Sequence, residues 1–385
     1  MKREYRNVFR ELGKSDEEIA KKINDTVRGF FYGEDKVYFP VGDDMAYIED
    51  TGNIDARTEG MSYGMMMCVQ LGMKEEFDRL WKWAKTYMYM SEGVNEGYFA
   101  WSCKTNGEKN SYGPAPDGEE FFAMALFFAS HRWGDGEGIF NYSREAREIL
   151  RACLHKGENG RPGAPMWDPA NKQILFVPGS DHTDPSYHLP HFYELFAQWA
   201  YEEDREFFAE AAAVSREFLV KVCHPKTGMN PEYSEFDGSP MSRPLGWTTD
   251  RHDWFYSDAY RTAANIGLDC EWFGKDVGQW DAVKRLQYTL GVVNADDPYL
   301  TYEVDGTPLP QPALHPVGIL ATTAQASLAV KGPLSPESPD PANALAAKWV
   351  LRFWDEPLRT GVRRYYDNCL YLFAVLALSG NYRII

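Results

Sequence analysis

The sequence predicts an all-α fold, an (α/α)6 barrel of six helical hairpins with short β-hairpins in its loops, on three observations. Helical periodicity recurs in roughly twelve segments. These alternate between segments apolar on every side and segments with one charged face, the pattern of inner and outer helices. The loops between them are long, and no linker or strict repeat divides the chain. Residues 1–385 are therefore expected to form one catalytic-sized domain. A bundle or a helical solenoid is the competing arrangement.

In chain order, the segment 15–31 opens the series, and "MKREYRNVFRELGKSDEEIA" before and within it is charged throughout, with no apolar h-region of a secretion signal. Segment 61–71 is apolar nearly all round and inner-like, whereas 74–90, with "KEEFDRLWKWAKTYM", keeps its charge on one face. The same inner-outer order returns in 118–133 ("DGEEFFAMALFFASHRW") and 143–155 ("SREAREILRACLHKG"). Helical periodicity continues in 188–201, 204–223, 258–273, 279–290, 317–330 and 342–354, and "DNCLYLFAVLALSG" in 366–379 closes the series as an inner helix. The strand-like pieces are short; "PEYSEFDGSPM" and "LTYEVDGTPLP" each carry an Asp-Gly hairpin turn, and "LSPESPDPA" is a Pro-rich loop.

Composition narrows the partners. Of 385 residues 44% are hydrophobic, enough for a large core, and 15% are aromatic, with 12 Trp and 23 Tyr, an excess that suits flat stacking surfaces. The formal net charge of −17 argues against nucleic acid or anionic membranes, which need a basic face, but tolerates neutral ligands such as sugars. No stretch reaches the apolar length of a membrane span. Cys68, Cys103, Cys153, Cys223, Cys270 and Cys369 are scattered without CxxC pairs and read as reduced packing residues rather than a disulfide frame or a zinc site. A cytoplasmic monomer without metal or other cofactor is expected.

Acidic residues cluster at the starts of the inner segments: Thr58-Glu59-Gly60, Asp117-Gly118-Glu119-Glu120, and Ser257-Asp258-Ala259-Tyr260-Arg261. Taken singly, each is more simply a cap; Asp117 with Glu120 matches a capping box, and Thr58 or Ser257 suits an N-cap. Taken together, at the same end of inner helices and among Gly and aromatic residues, they point into a common cleft. An acid pair across an aromatic cleft is what glycoside hydrolysis needs: one carboxylic acid protonates the leaving oxygen, and one carboxylate activates water or attacks. Trp101 in "YFAWSC" and Trp167 in "APMWDP" fall in loops and are candidate sugar platforms. Tyr365 and Tyr366 precede the last inner segment and face the same way, while Trp81, Trp83 and Trp349 belong to outer-helix packing.

The motifs "RTEGMSYGMM", "YFAWSC", "GPAPDGEEFF", "DPSYHLPHFYELF", "SDAYRTAANIGLD" and "RRYYDNCLYLFAVLALSG" together resemble glycoside hydrolase family 8, over nearly the whole chain, and most closely its reducing-end xylose-releasing exo-oligoxylanases. The resemblance implies an (α/α)6 barrel and an inverting, metal-free hydrolysis of β-1,4-linked xylo-oligosaccharides. It places Glu59 as general acid, Asp258 as general base, Asp117 beside the scissile sugar and Tyr187 on the attacking water. It also puts Arg261 beside the base, and matches Leu314, His315 and Pro316 to a loop that closes the leaving-group side of the cleft and reads the anomeric hydroxyl. The stretch "MSRPLGWTTDRHDW" departs from the family pattern. A helix N-terminus lowers a carboxyl pKa, so Glu59 needs burial and a neighbouring carboxylate to hold its proton. Arg261, three residues on, is the counter-ion expected to keep Asp258 ionised.

Other functions use other residues. An endo-acting β-1,4-xylanase or β-glucanase of the same family would keep the acids with an open cleft. A sugar epimerase would rely on paired histidines, for which His188 and His191, expected i,i+3 on one helix, are the close pair. A non-catalytic sugar-binding protein would need the aromatics without Glu59 and Asp258.

Overall fold

The computed structural model describes residues 4–245 and 251–385. Its helices are α1 (Val8–Glu11), α2 (Asp16–Phe31), α3 (Thr58–Leu71), α4 (Lys74–Trp83), α5 (Pro116–Trp133), α6 (Tyr142–His155), α7 (Pro190–Trp199), α8 (Arg205–Val222), α9 (Tyr260–Phe273), α10 (Gln279–Tyr288), α11 (Pro316–Gln325), α12 (Pro341–Asp355) and α13 (Arg364–Leu378). Helices α3, α5, α7, α9, α11 and α13 each pack on the next, and α13 returns to α3, which closes a ring. Helices α4, α6, α8, α10 and α12 back their partners from outside, and α2 backs α13, so the sixth hairpin joins segments far apart in sequence. This is the (α/α)6 barrel.

The side-chain patterns explain the two layers. In α3 every residue from Gly60 to Gln70 is buried, and in α13 every residue from Tyr365 to Leu378. A helix enclosed on all sides has no use for a polar face. Outer α4 instead buries Phe77, Leu80, Trp81 and Trp83 on one stripe and leaves its charges to solvent. Trp81, Trp83 and Trp349 are core residues, as the sequence indicated. Outer α2 starts at Ser15, whose hydroxyl accepts from the Glu18 N–H while Glu18 accepts from the Ser15 N–H, a capping box.

Two glycines set how closely the inner helices start. A Cβ on Gly118 would collide with Thr58, and one on Gly60 would lie 2.6 Å from the Tyr365 hydroxyl. Their absence lets α5 and α13 close on the first turn of α3, where Glu59 sits.

Short strands trim the loops. β1 (Tyr38–Val41) pairs with β2 (Met45–Ile48), and β3 (Asp55–Arg57) pairs with β4 (Ser102–Lys104). β5 (Trp254–Phe255) joins the hairpin of β6 (Leu300–Glu303) and β7 (Pro308–Pro312), which turns at Asp305-Gly306 as expected. The second Asp-Gly signal gives a turn at Asp237-Gly238, closed by Glu235 N–H to Ser239 O at 2.9 Å, but only isolated bridges rather than a ladder. Of the divergent stretch 241–254, residues 246–250 lie outside the described residues. None of the six cysteines is in a disulfide. Among the described residues, no helix is long and apolar enough to cross a membrane.

Candidate active site

The starts of α3, α5 and α9 meet at one mouth of the barrel, over a cleft of about 530 Å³. Glu59, in the first turn of α3, is delivered by the β3–β4 pair: the Thr58 N–H donates to Trp101 O at 2.9 Å, which ties the helix start to the end of β4. Asp117 is in the first turn of α5, behind Pro116, and no side chain caps that helix. The capping box expected of Asp117 and Glu120 does not form. Glu120 instead turns away to the Tyr193 hydroxyl, which donates to it at 2.5 Å, and Asp117 is left to face the cleft. Asp258 sits on a 3-10 turn, Ser257–Ala259, one step before α9. Its neighbour Ser257 has φ of +40°, a left-handed backbone that a non-glycine residue adopts at a cost and that functional sites often store.

Arg261 gathers these acids. It is only 4% exposed, yet its Nη1 donates to Glu59 at 2.9 Å, to Asp117 at 3.1 Å and to the Tyr63 hydroxyl at 2.8 Å. Its Nη2 stands 3.4 Å from Asp258 and 3.7 Å from Asp184. The expected pairing of Arg261 with Asp258 is present, but the same guanidinium is shared by four carboxylates, and its closest carboxylate is Glu59. The planar fork of Arg suits this division in a way one ammonium would not.

Four carboxyls around one cation in a poorly solvated place cannot all remain charged cheaply. Burial pushes Glu59 up to about 7, against the pull of Arg261, with Asp117 and Asp258 adding to the rise. The Tyr365 hydroxyl donates to the other Glu59 oxygen at 2.8 Å and counts in the opposite direction. Burial also raises Asp117, again opposed by Arg261. Asp184 is raised well above the usual carboxylate range by burial. Sequence reading missed Asp184. Its signal was the Asp-Pro-Ser turn: the carboxylate accepts from the Ser186 N–H at 2.7 Å and caps the 3-10 turn Pro185–Tyr187 that carries Tyr187. Tyr63 and Tyr233 were missed as well: Tyr63 lies inside an apolar run and looks like core, and Tyr233 lies in the "PEYSEFDG" stretch, which read as a hairpin.

The walls are aromatic. Trp101 is 37% exposed, and the Arg57 guanidinium, held by Asp50 and Asp55 at 3.1 Å each, lies 5.3 Å from its ring centre. Tyr187, Tyr233, Tyr365 and Tyr366 line the cleft with His315, whose ring packs tilted against Tyr366 with centroids 4.6 Å apart. Tyr365 and Tyr366 belong to the first turn of α13 rather than preceding it. Trp167 is a correction. Its loop folds back through a bridge to Ile174 and buries the indole, 1% exposed, against Tyr193 and Phe208, so it offers no platform to the cleft. His188 and His191 are not on one helix: His188 precedes α7, wedged between Thr183 and Ser215, and both are buried away from the cleft. Burial lowers each to about 3, which removes them as a proton-transfer pair.

A helical barrel that aims carboxyls of contrasting environment into an aromatic-walled cleft has the parts of a glycosidase. The comparisons agree. The family model for glycosyl hydrolases family 8 matches residues 44–330, and the chain belongs to that family. A reducing-end xylose-releasing exo-oligoxylanase of Halalkalibacterium halodurans is 54% identical over 99% of this chain and 95% of its own length. The enzyme Rex8A of Paenibacillus barcinonensis, described in the same words, is 55% identical over 99% of this chain and 96% of its own. The solved structure of Rex8A complexed with xylose superposes with a TM-score of 0.92 at 53% identity, covering 99% of this chain and 97% of that one.

Proposed function

We propose that this protein releases single xylose units from the reducing end of β-1,4-linked xylo-oligosaccharides, with inversion at the anomeric carbon. The observation that carries this reading is the likeness, at 50–55% identity over 98–99% of the chain, to three relatives described as reducing-end xylose-releasing exo-oligoxylanases. In this reading Glu59, held protonated by its burial, gives its proton to the leaving oxygen. Asp258, the most exposed of the four acids, takes a proton from the attacking water, which Tyr187 helps to hold. Asp117 supports the distorted sugar, and Arg261 keeps the acids in register. Trp101, Tyr365 and Tyr366 bind the sugar rings, and His315 in the wall stops the cleft one sugar beyond the cut.

We take residues 1–385 as one catalytic unit, because α2 completes the sixth hairpin with α13. The free thiols suit a reducing compartment, and we read the protein as a cytoplasmic monomer acting on sugars that have already been shortened. Incubation with xylotriose tests the activity. Equal early amounts of xylose and xylobiose are expected, with slow attack on long xylan. Failure to release xylose from xylotriose overturns the reading.

A further inference from the structure

The wall that carries His315 is gripped by groups the reading above does not use. The Asp367 carboxylate, fully buried in the first turn of α13, accepts from three sides: His315 Nδ1 at 2.8 Å, the Gly318 N–H at 2.8 Å and Arg359 Nη1 at 2.5 Å. The same Nη1 donates to the Leu314 carbonyl at 2.7 Å. Arg359 is itself fixed between α12 and α13, where the Asn368 side chain accepts from its N–H and donates to its C=O, both at 2.9 Å. A carboxylate taking hydrogen bonds from a guanidinium and a backbone amide acts as acceptor only. The proton between it and the imidazole is therefore assigned to Nδ1, which leaves Nε2 as the free polar atom of a ring that lines the cleft.

We infer that Arg359 and Asp367 are positioning residues for specificity: they latch Leu314 and His315 in place and hold the His315 ring for a hydrogen bond with a sugar hydroxyl. This rests on the proposed role of His315, and it extends that role to residues that touch no sugar.

The test compares Arg359→Ala, Arg359→Lys and Asp367→Asn with His315→Ala on xylotetraose carrying ¹³C in its reducing-end xylose. Arg359→Ala should raise KM roughly tenfold with kcat within about threefold, the scale of losing a charged hydrogen bond in binding. It should also move label from free xylose into xylobiose and xylotriose, a ratio that does not depend on how much enzyme is folded. Arg359→Lys, which reaches one acceptor at a time, should recover part of the xylose share. Asp367→Asn should act in the same direction, and if it fails to fold, the Arg359 variants decide. Label that stays in xylose for Arg359→Ala, whether or not kcat falls, would reduce the latch to a support of the fold and overturn the inference. If His315→Ala redistributes label and Arg359→Ala does not, the latch alone fails. If His315→Ala leaves label in xylose, the reading of His315 fails and the inference with it.

Discussion

Arg261 Nη1 donates to Glu59 Oε2 at 2.9 Å across the barrel mouth, and the same side chain serves Asp117, Asp184 and Asp258. Removing this cation as Arg261→Met takes away the guanidinium that the four acids share. Breaking a buried ion pair from one side typically costs about 3–5 kcal/mol. The loss should depend on pH in a known direction. Arg261 pulls down the pKa of Glu59, Asp117 and Asp184, so without it their folded-state values rise further above the unfolded ones. The folded variant then binds more protons than the unfolded chain, and its stability rises as pH falls. Thermal melts should show a deficit at pH 8 that shrinks at pH 5. An equal deficit at both would mean that packing, and not charge, is what Arg261 supplies.

Glu59 stands at about 7 in the folded protein, above its ordinary value, chiefly through burial. As the proposed acid it must be protonated, so kcat/KM should fall as pH rises through about 7. Glu59→Gln should lower kcat roughly 10²–10⁴-fold, the usual worth of one proton-transfer group. Its stability should change in the opposite sense. A raised folded pKa gives stability that is full at low pH and is lost as pH rises through the folded value, and the amide loses nothing. Glu59→Gln should therefore melt higher than the parent at pH 8, by on the order of 1–3 kcal/mol, and match it near pH 4. A folded Glu59→Gln enzyme with near-normal turnover on xylotriose would remove Glu59 from this role.

Much of this was legible in the sequence for a physical reason. Enclosure on all sides shows as an unbroken apolar run, so α3, α5 and α13 declared themselves inner, and Glu59 and Asp117 at the starts of the first two stood out as exceptions. What could not be read depends on partners distant in the chain. Nothing beside Asp184 reveals that Arg261 lies against it, and nothing near Trp167 reveals that its loop folds back onto Tyr193. Gly60 and Gly118 read as small residues near an acid, and only the ring closure shows that each is needed for a neighbouring helix to approach.

With Asp258 as the proposed base, the reading also makes a stereochemical prediction. Glu59 and Asp258 contact different terminal nitrogens of Arg261, at 2.9 Å and 3.4 Å, and as the proposed acid and base they must leave room for a water at the anomeric carbon. Inverting enzymes hold their carboxyls roughly 6.5–9.5 Å apart to admit a water. The first sugar product from a β-linked substrate should then be the α-anomer in the glycone fragment, seen by proton NMR before mutarotation. An initial β-anomer would require a covalent intermediate and contradict the assignment of Asp258 as base.

His315 is the residue we propose to set the direction of attack. Its ring stands in the cleft wall against Tyr366, with Nδ1 held by Asp367, so its place is rigid. If that wall ends the cleft one sugar past the cut, only the reducing-end xylose of an oligosaccharide fits there. Reducing that sugar to its alditol removes both the ring and the anomeric hydroxyl, and cleavage should be abolished or nearly so. A site built to hydrogen-bond a hydroxyl rejects the analogue that lacks it by as much as roughly 10⁴–10⁵-fold, because its own polar groups are left unpaired. His315→Ala takes away that reader and keeps Glu59 and Asp258, so hydrolysis should persist while the parent's preference for the reducing end weakens. Xylotetraose with ¹³C in its reducing-end sugar gives the measurement: mass spectra of early products should show label almost wholly in free xylose for the parent and shared with xylobiose and xylotriose for His315→Ala. Label appearing mainly in xylobiose or xylotriose with the parent enzyme would instead mean an open cleft and an endo-acting hydrolase.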